Sequence, residues 1–112
     1  MLDEELVGEI LSDDSEETIE LYRDFIEDVR ERLKQAESMS LVKSLEETKR
    51  HIHQLRGVNL NFGFSGVAQT LDIIEFKPET LDDESYEATI IQAESIFDQS
   101  LARIKKLYPN LA

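Results

Sequence analysis

Apolar residues recur along this 112-residue chain at every third or fourth position, and no apolar run is longer than two residues. This spacing is typical of amphipathic helices, because the buried strands of a parallel sheet need nearly continuous apolar runs. Four stripes predict four helices, and Leu2, Leu6 and Ile10 predict a short helix before them. The four stripes are Ile19, Tyr22, Ile26, Val29 and Leu33; Leu41, Leu45, Thr48, Ile52, Leu55 and Phe62; Val67, Leu71 and Ile74; and Tyr86, Ile90, Ala93, Phe97, Leu101, Ile104 and Tyr108.

Capping and helix-breaking residues divide the chain at the ends of these stripes. Pro78 and Pro109 predict the ends of the last two helices, since proline cannot continue a helix. The predicted N-terminal caps of the four long helices are, in order, Asp14 in a capping box with Glu17, Ser38 or Ser40, Ser65, and Asp82 or Asp83. We therefore predict an all-α fold in one domain, residues 1–112: an antiparallel four-helix bundle with a short additional N-terminal helix. Five aromatic side chains are predicted to lie in its core or at the core rim: Tyr22, Phe25, Phe62, Tyr86 and Phe97.

The net charge of -13 argues against nucleic acid and anionic membranes as partners, because both would be repelled. The chain has no cysteine, which excludes disulfides and thiolate sites, and the short apolar runs exclude a transmembrane helix. We expect a cytoplasmic protein. The charge is uneven: residues 1–37 carry a net -10 and residues 72–112 a net -5, whereas residues 38–71 carry +2 and contain both histidines.

The two histidines differ in their surroundings. His51 and His53 point about 200° apart on a helix, so they cannot share a metal ion, and we predict that His51 is a surface or boundary residue. His53 lies at the edge of the apolar stripe, with Lys49, Arg50 and Arg56 within one helical turn. These cations disfavour a protonated ring, and a neutral imidazole is a nucleophile. They would also stabilise a dianionic group on that ring.

Gly57 follows His53 by one helical turn. Glycine in a helix interior lowers helix stability by about 1 kcal/mol relative to alanine, so we expect that this position has another need for glycine. Close approach of another protein and a helix–helix contact within this chain both remain open.

The string His53-Gln54-Leu55-Arg56-Gly57, followed by Asn61-Phe62-Gly63, resembles the signature of the histidine phosphotransfer (HPt) domain family. Phe62-Gly63-Phe64-Ser65 is similar to the N-terminal phosphotransfer domain of chemotaxis histidine kinases. The motif covers about residues 49–75. The resemblance implies a phosphorelay intermediate of two-component signalling. His53 would accept a phosphoryl group from the aspartyl phosphate of a receiver domain and pass it to another receiver Asp.

The resemblance also implies roles for the neighbours of His53. Arg56, where the family usually has Lys, would steady the phosphoryl oxygens, and Gly57 would make room for the partner. Lys49 and Gln54 complete the candidate site. Glu75 matches a position that hydrogen-bonds the histidine in chemotaxis-kinase domains. Helix arithmetic independently puts Glu75 within about one turn of His53 in an antiparallel pair, although a plain surface acid remains open.

As partners, the resemblance implies response-regulator receiver domains and a sensor histidine kinase of the simple or the hybrid type. The receiver would supply Mg²⁺, and this chain would be a monomeric phosphocarrier with no cofactor and no ATP site of its own. It reads as a stand-alone carrier, although a domain excised from a hybrid kinase is an alternative. Val58-Asn59 replaces the small residues that usually follow the family glycine, which leaves partner preference open. An interaction module that binds a receiver without accepting phosphate is the second hypothesis. A metal-binding or oligomerising bundle is the third.

Overall fold

A computed structural model describes residues 2–13 and 15–111 of the chain. Within these residues there are five α-helices and no strands, and short 3-10 turns follow the last two helices at Pro78–Thr80 and Pro109–Leu111. The helices are α1 (Glu4–Leu11), α2 (Glu16–Glu37), α3 (Leu45–Asn61), α4 (Ser65–Phe76) and α5 (Asp83–Leu107). The predicted all-α fold with a short N-terminal helix is therefore confirmed.

Helices α2 to α5 pack as an antiparallel bundle. Tyr22, near the start of α2, donates a hydrogen bond from its hydroxyl to the carbonyl of Phe62, just after α3. The carbonyl of Arg32, near the end of α2, meets the ring of His51, near the start of α3. Residue numbers thus rise along one helix as they fall along its neighbour. Helix α5 closes the bundle by packing against both α4 and α2.

The apolar stripes meet in a common core. Four of the five predicted core aromatics are buried, and Phe62 lies at the core rim, where its ring stacks on Phe25 with 4.3 Å between centroids. The Tyr86 hydroxyl, also buried, donates to the carbonyl of Ala36 at 2.7 Å. The aromatic residues are therefore structural, as their spacing predicts.

Helix α1 turns a different face inward from the predicted one. Val7 and Leu11 are buried, whereas the predicted stripe of Leu2, Leu6 and Ile10 is only half-buried. Val7 packs onto Gly63 in the turn between α3 and α4. That contact rotates the buried face of α1 by one residue.

The start of α3 lies later than predicted. Residues 38–44 form the connection from α2, and Leu41 is buried from this turn and not from a helix. Neither Ser38 nor Ser40 caps α3, because its N-cap position is Ser44. The Ser40 hydroxyl instead accepts a hydrogen bond from the backbone N–H of Lys43 within the turn.

Two further caps differ from the prediction, and three helix boundaries agree with it. Phe64, fully buried, takes the N-cap position of α4, so that Ser65 is the first helical residue. Ser15 caps α2 by accepting from the backbone N–H of Thr18, and Asp14 lies outside the described residues. Asp82 caps α5, and α4 and α5 end just before Pro78 and Pro109 as predicted. Within the described ranges, no helix is long and apolar enough to cross a membrane.

Candidate functional site

His53 stands on the outer surface of α3. Its neighbours Ile52 and Leu55 are fully buried, which fixes the rotation of the helix and turns the imidazole outward. The side chain is 73% exposed. A reaction partner can therefore reach the ring without any opening of the bundle.

The carboxylate of Glu75, on α4, hydrogen-bonds the imidazole of His53 through Oε1 and Nδ1. A carboxylate oxygen accepts, so Nδ1 carries the proton, and in the neutral ring Nε2 keeps its lone pair. The Glu75 side chain is 12% exposed, far less than the ring that it holds. A half-buried acid thus orients an exposed imidazole and leaves one nitrogen available for chemistry.

Arg56 lies one turn after His53 and contacts three groups of α4. Its Nε donates to Asp72 Oδ1 at 2.6 Å and lies 3.3 Å from Glu75 Oε2. Its guanidinium carbon lies 4.8 Å from the centre of the Phe76 ring, which is a cation–π contact. The Arg56 side chain is 23% exposed. Arg56 is therefore held against α4.

A shallow pocket of about 400 Å³ opens beside His53. Its lining residues are Glu46, Lys49, Arg50, His53, Glu75 and Phe76. Within residues 2–13 and 15–111, neither Lys49 nor Arg50 pairs with a carboxylate within 4 Å. The pocket therefore brings two unpaired cations to the imidazole.

Gly57 and Gln54 are the two remaining candidate site residues, and both belong to α3. A Cβ added at Gly57 would meet no heavy atom of residues 2–13 and 15–111 within 4 Å, so a helix–helix contact within this described part of the chain is not the reason for the glycine. Gln54 accepts a hydrogen bond from Nη1 of Arg32 on α2 at 3.3 Å. Gln54 thus bridges α3 to α2, on the side away from Glu75.

His51 is a boundary residue, as predicted. Its Nε2 lies 2.8 Å from the carbonyl oxygen of Arg32 and, because a carbonyl accepts, donates to it. The ring is half-buried between α3 and α2. In the part of the chain that the structure describes, no group of three or more His, Asp or Glu side chains could hold a metal ion.

Sequence reasoning missed Asp72 and Phe76. Asp72 precedes Glu75 by three residues and therefore shares its helix face. The helix arithmetic that brings Glu75 level with His53 can also be applied to Arg56. It would have placed Asp72 opposite Arg56 in the antiparallel pair. Phe76 gives no such signal, because its 61% exposure departs from the behaviour expected of a large aromatic residue at a helix end.

The comparison with protein families agrees with this geometry. The model of the Hpt domain family matches residues 20–107, which include all of α3, α4 and α5 and most of α2. The searches of curated proteins and of solved structures gave no match. The family match spans most of the chain and contains His53, Arg56, Gly57 and Glu75. The chain therefore belongs to the Hpt domain family, whose members serve histidine phosphotransfer in two-component phosphorelays.

Proposed function

We propose that this protein is a phosphorelay intermediate in which His53 carries the phosphoryl group between two receiver domains. The observation that carries the proposal is the exposed imidazole whose Nδ1 is held by the half-buried carboxylate of Glu75. Hpt domains interact with receiver domains and kinases. We propose response-regulator receivers and a sensor kinase, either simple or hybrid, as the partners of this chain.

The reaction at His53 requires no proton transfer. The lone pair of Nε2 attacks the phosphorus of the receiver's aspartyl phosphate, a P–N bond forms, and the bond from phosphorus to the aspartate oxygen breaks. The aspartate leaves as a carboxylate, and the imidazole ring becomes a cation. Glu75 accepts from Nδ1–H throughout and offsets the positive charge that develops on the ring. The return transfer to a second receiver Asp is the same step in reverse.

Gly57 supports contact with a protein of receiver size. The open space around its Cα means that the bundle itself gains nothing from the glycine, while the helix loses about 1 kcal/mol relative to alanine. Bare backbone one turn from the nucleophile lets a partner's surface approach closely. Mg²⁺ would come from the receiver, since phosphoryl transfer needs positioning and charge neutralisation that a receiver's metal can supply. Cytoplasmic location and the monomeric state stay predictions from the sequence.

Transfer of radiolabelled phosphate from phosphorylated receiver domains tests the proposal. We expect the wild-type protein to take up label that is stable in base and labile in acid, as a phosphohistidine is. His53→Gln should take up none. His51→Gln is the matched control, because this second histidine is turned toward α2 and should leave labelling unchanged.

Two outcomes would contradict the proposal. Label retained by His53→Gln would move the acceptor elsewhere. If the wild type bound a receiver but took up no label from any receiver tested, the protein would be an interaction module of the second kind considered above.

A further inference from the structure

Phe76 is the largest of the exposed apolar side chains in the part of the chain that the structure describes. It is 61% exposed, whereas the other four phenylalanines are buried or half-buried. The guanidinium of Arg56 covers one face of its ring, 4.8 Å from the ring centre. Single exposed apolar residues are common on protein surfaces, so the exposure gains meaning only from what lies beside the ring.

Phe76 lines the pocket beside His53, and this position distinguishes it from the other exposed apolar side chains. None of the exposed leucine, isoleucine and valine side chains of the described residues lines that pocket. Phe76 directly follows Glu75, whose carboxylate holds the imidazole. A receiver that brings its aspartyl phosphate into bonding distance of Nε2 covers this shallow pocket, and with it the Phe76 ring.

The charges of the pocket indicate the chemistry of a surface that fits it. Two lining side chains are the unpaired cations described above, and the carboxylate of Glu75 is already engaged by His53 and Arg56. Glu46 opposes one of the two cations, which leaves an excess of one positive charge. A surface that is acidic next to an apolar patch complements both this charge and the ring. A receiver supplies the acidic part, because carboxylates hold its Mg²⁺.

We infer that Phe76 is the apolar anchor through which this protein binds the receiver that exchanges phosphate with His53. The inference rests on the proposed function and adds a binding residue to it, since the ring takes no part in the exchange of bonds. Aromatic side chains are enriched at the core of protein–protein interfaces. The contact with Arg56 holds the ring in place, so that little side-chain freedom is lost when a partner binds. Covering the ring removes from water an apolar area that the fold leaves exposed.

Kinetics of transfer from a phosphorylated receiver, with its concentration varied through saturation, test the inference. Phe76→Ala should raise KM about tenfold and leave kcat unchanged, because the ring contributes to binding and does not touch the reacting atoms. Phe76→Leu keeps an apolar side chain but loses the cation–π contact, and its KM should stay within about threefold of the wild-type value. Ile91→Ala should change neither constant. It is the matched control, because Ile91 is 57% exposed, belongs to α5 and does not line the pocket.

Chemical phosphorylation separates docking from an indirect effect through Arg56. Phosphoramidate transfers its phosphoryl group to histidine with release of ammonia, and this small donor does not need a docking surface. Phe76→Ala should therefore react with phosphoramidate at the wild-type rate. A slower reaction would show that the ring acts on the site itself and would overturn the inference, as would an unchanged KM for the receiver. Because the ring is exposed, urea titration should give Phe76→Ala nearly the wild-type free energy of unfolding.

Binding of an unphosphorylated receiver, measured by isothermal titration calorimetry, keeps the anchor distinct from the relay function. If receivers bind the wild type but transfer no label to it, the relay function fails, and a Kd that rises about tenfold in Phe76→Ala still supports the anchor. Equal Kd values for the wild type and Phe76→Ala would contradict the anchor whether or not label is transferred. If no receiver binds the wild type, both proposals fail.

Discussion

A hydrogen bond from Nδ1 to Glu75 leaves His53 with one free nitrogen, and the surface around the imidazole is accessible to another protein. The imidazole is exposed, and the adjacent backbone at Gly57 carries no side chain that could block a partner. At the scale of single residues, α4 therefore orients the imidazole through Glu75, and α3 leaves the imidazole open to a partner through its exposed surface at His53 and Gly57.

Gly57→Ala should therefore stabilise the protein and impair its reaction with protein partners. We expect the free energy of unfolding to rise by about 1 kcal/mol in urea titrations, because alanine favours the helix and the added methyl lies within 4 Å of no atom of the described residues. Transfer from a phosphorylated receiver should slow. Phosphorylation by phosphoramidate serves as the control and should proceed at the wild-type rate, since a small donor does not need the space. Undiminished transfer from the receiver would remove Gly57 from the docking surface.

At the scale of elements, the turn between α3 and α4 sets the register that brings Glu75 to His53. Gly63 in this turn has φ +82°, a left-handed conformation that favours glycine. It also receives α1: its carbonyl accepts from the backbone N–H of Asp3, and a Cβ at Gly63 would lie 2.6 Å from Val7 Cγ2. One glycine therefore joins the helix pair of the site to the N-terminal helix.

Gly63→Ala should destabilise the fold by about 1–3 kcal/mol, because both the positive φ and the contact with α1 oppose a Cβ. Chemical denaturation measures the loss. Val7→Ala in the same chain should recover part of it by relieving the clash but not the strain at φ. Gly8→Ala is the control, since its Cβ would lie 3.4 Å from the Tyr108 hydroxyl and Gly8 has no positive φ. Equal stability of Gly63→Ala and the wild type would show that the turn tolerates a side chain.

At the scale of the whole molecule, which carries a net charge of -13, two acidic groups lie close together where α5 meets α2. Glu94 on α5 faces Glu37 at the end of α2, with Arg30, Lys34 and Asp98 around the same shallow pocket. Burial, assisted by a hydrogen bond and repulsion from Glu37, raises the pKa of Glu94 to about 7. The native state therefore holds a proton near neutral pH that the unfolded chain releases.

The stability of the protein should depend on pH through this proton. The pKa of Glu94 is raised from its ordinary value of 4.5, so its contribution to stability is fully present below about 4.5 and is lost as the pH rises through about 7. Glu94→Gln keeps a neutral side chain at every pH. Its Tm should thus exceed that of the wild type at pH 8, and the difference should shrink toward pH 4.5. Glu87→Gln, which removes an exposed charge from the same helix, is the control, and its difference in Tm from the wild type should not shrink in this way between pH 8 and pH 4.5. If the Tm of Glu94→Gln instead differed from that of the wild type by the same amount at every pH, the raised pKa of Glu94 would be refuted.

The amino-acid sequence by itself determined the helices, the cap of α5, the ends of α4 and α5, and a candidate nucleophile. Apolar periodicity, proline stops and the string His53-Gln54-Leu55-Arg56-Gly57 are local signals, readable without knowledge of packing. Locality also explains the errors: the cap of α3 and the buried face of α1 depend on what each segment packs against. Leu41 looks helical in the stripe yet is buried from a turn.

Only the tertiary structure decided which charged groups around His53 are paired with one another. The contacts of His53 with Glu75 and of Arg56 with Asp72 join residues 22 and 16 positions apart, and they exist because α3 and α4 pack in one register. The sequence places Lys49, Arg50 and Arg56 together in the segment 38–71, whose net charge is +2. Packing brings two carboxylates of α4 to Arg56 and none to Lys49, because α4 ends before it reaches that level.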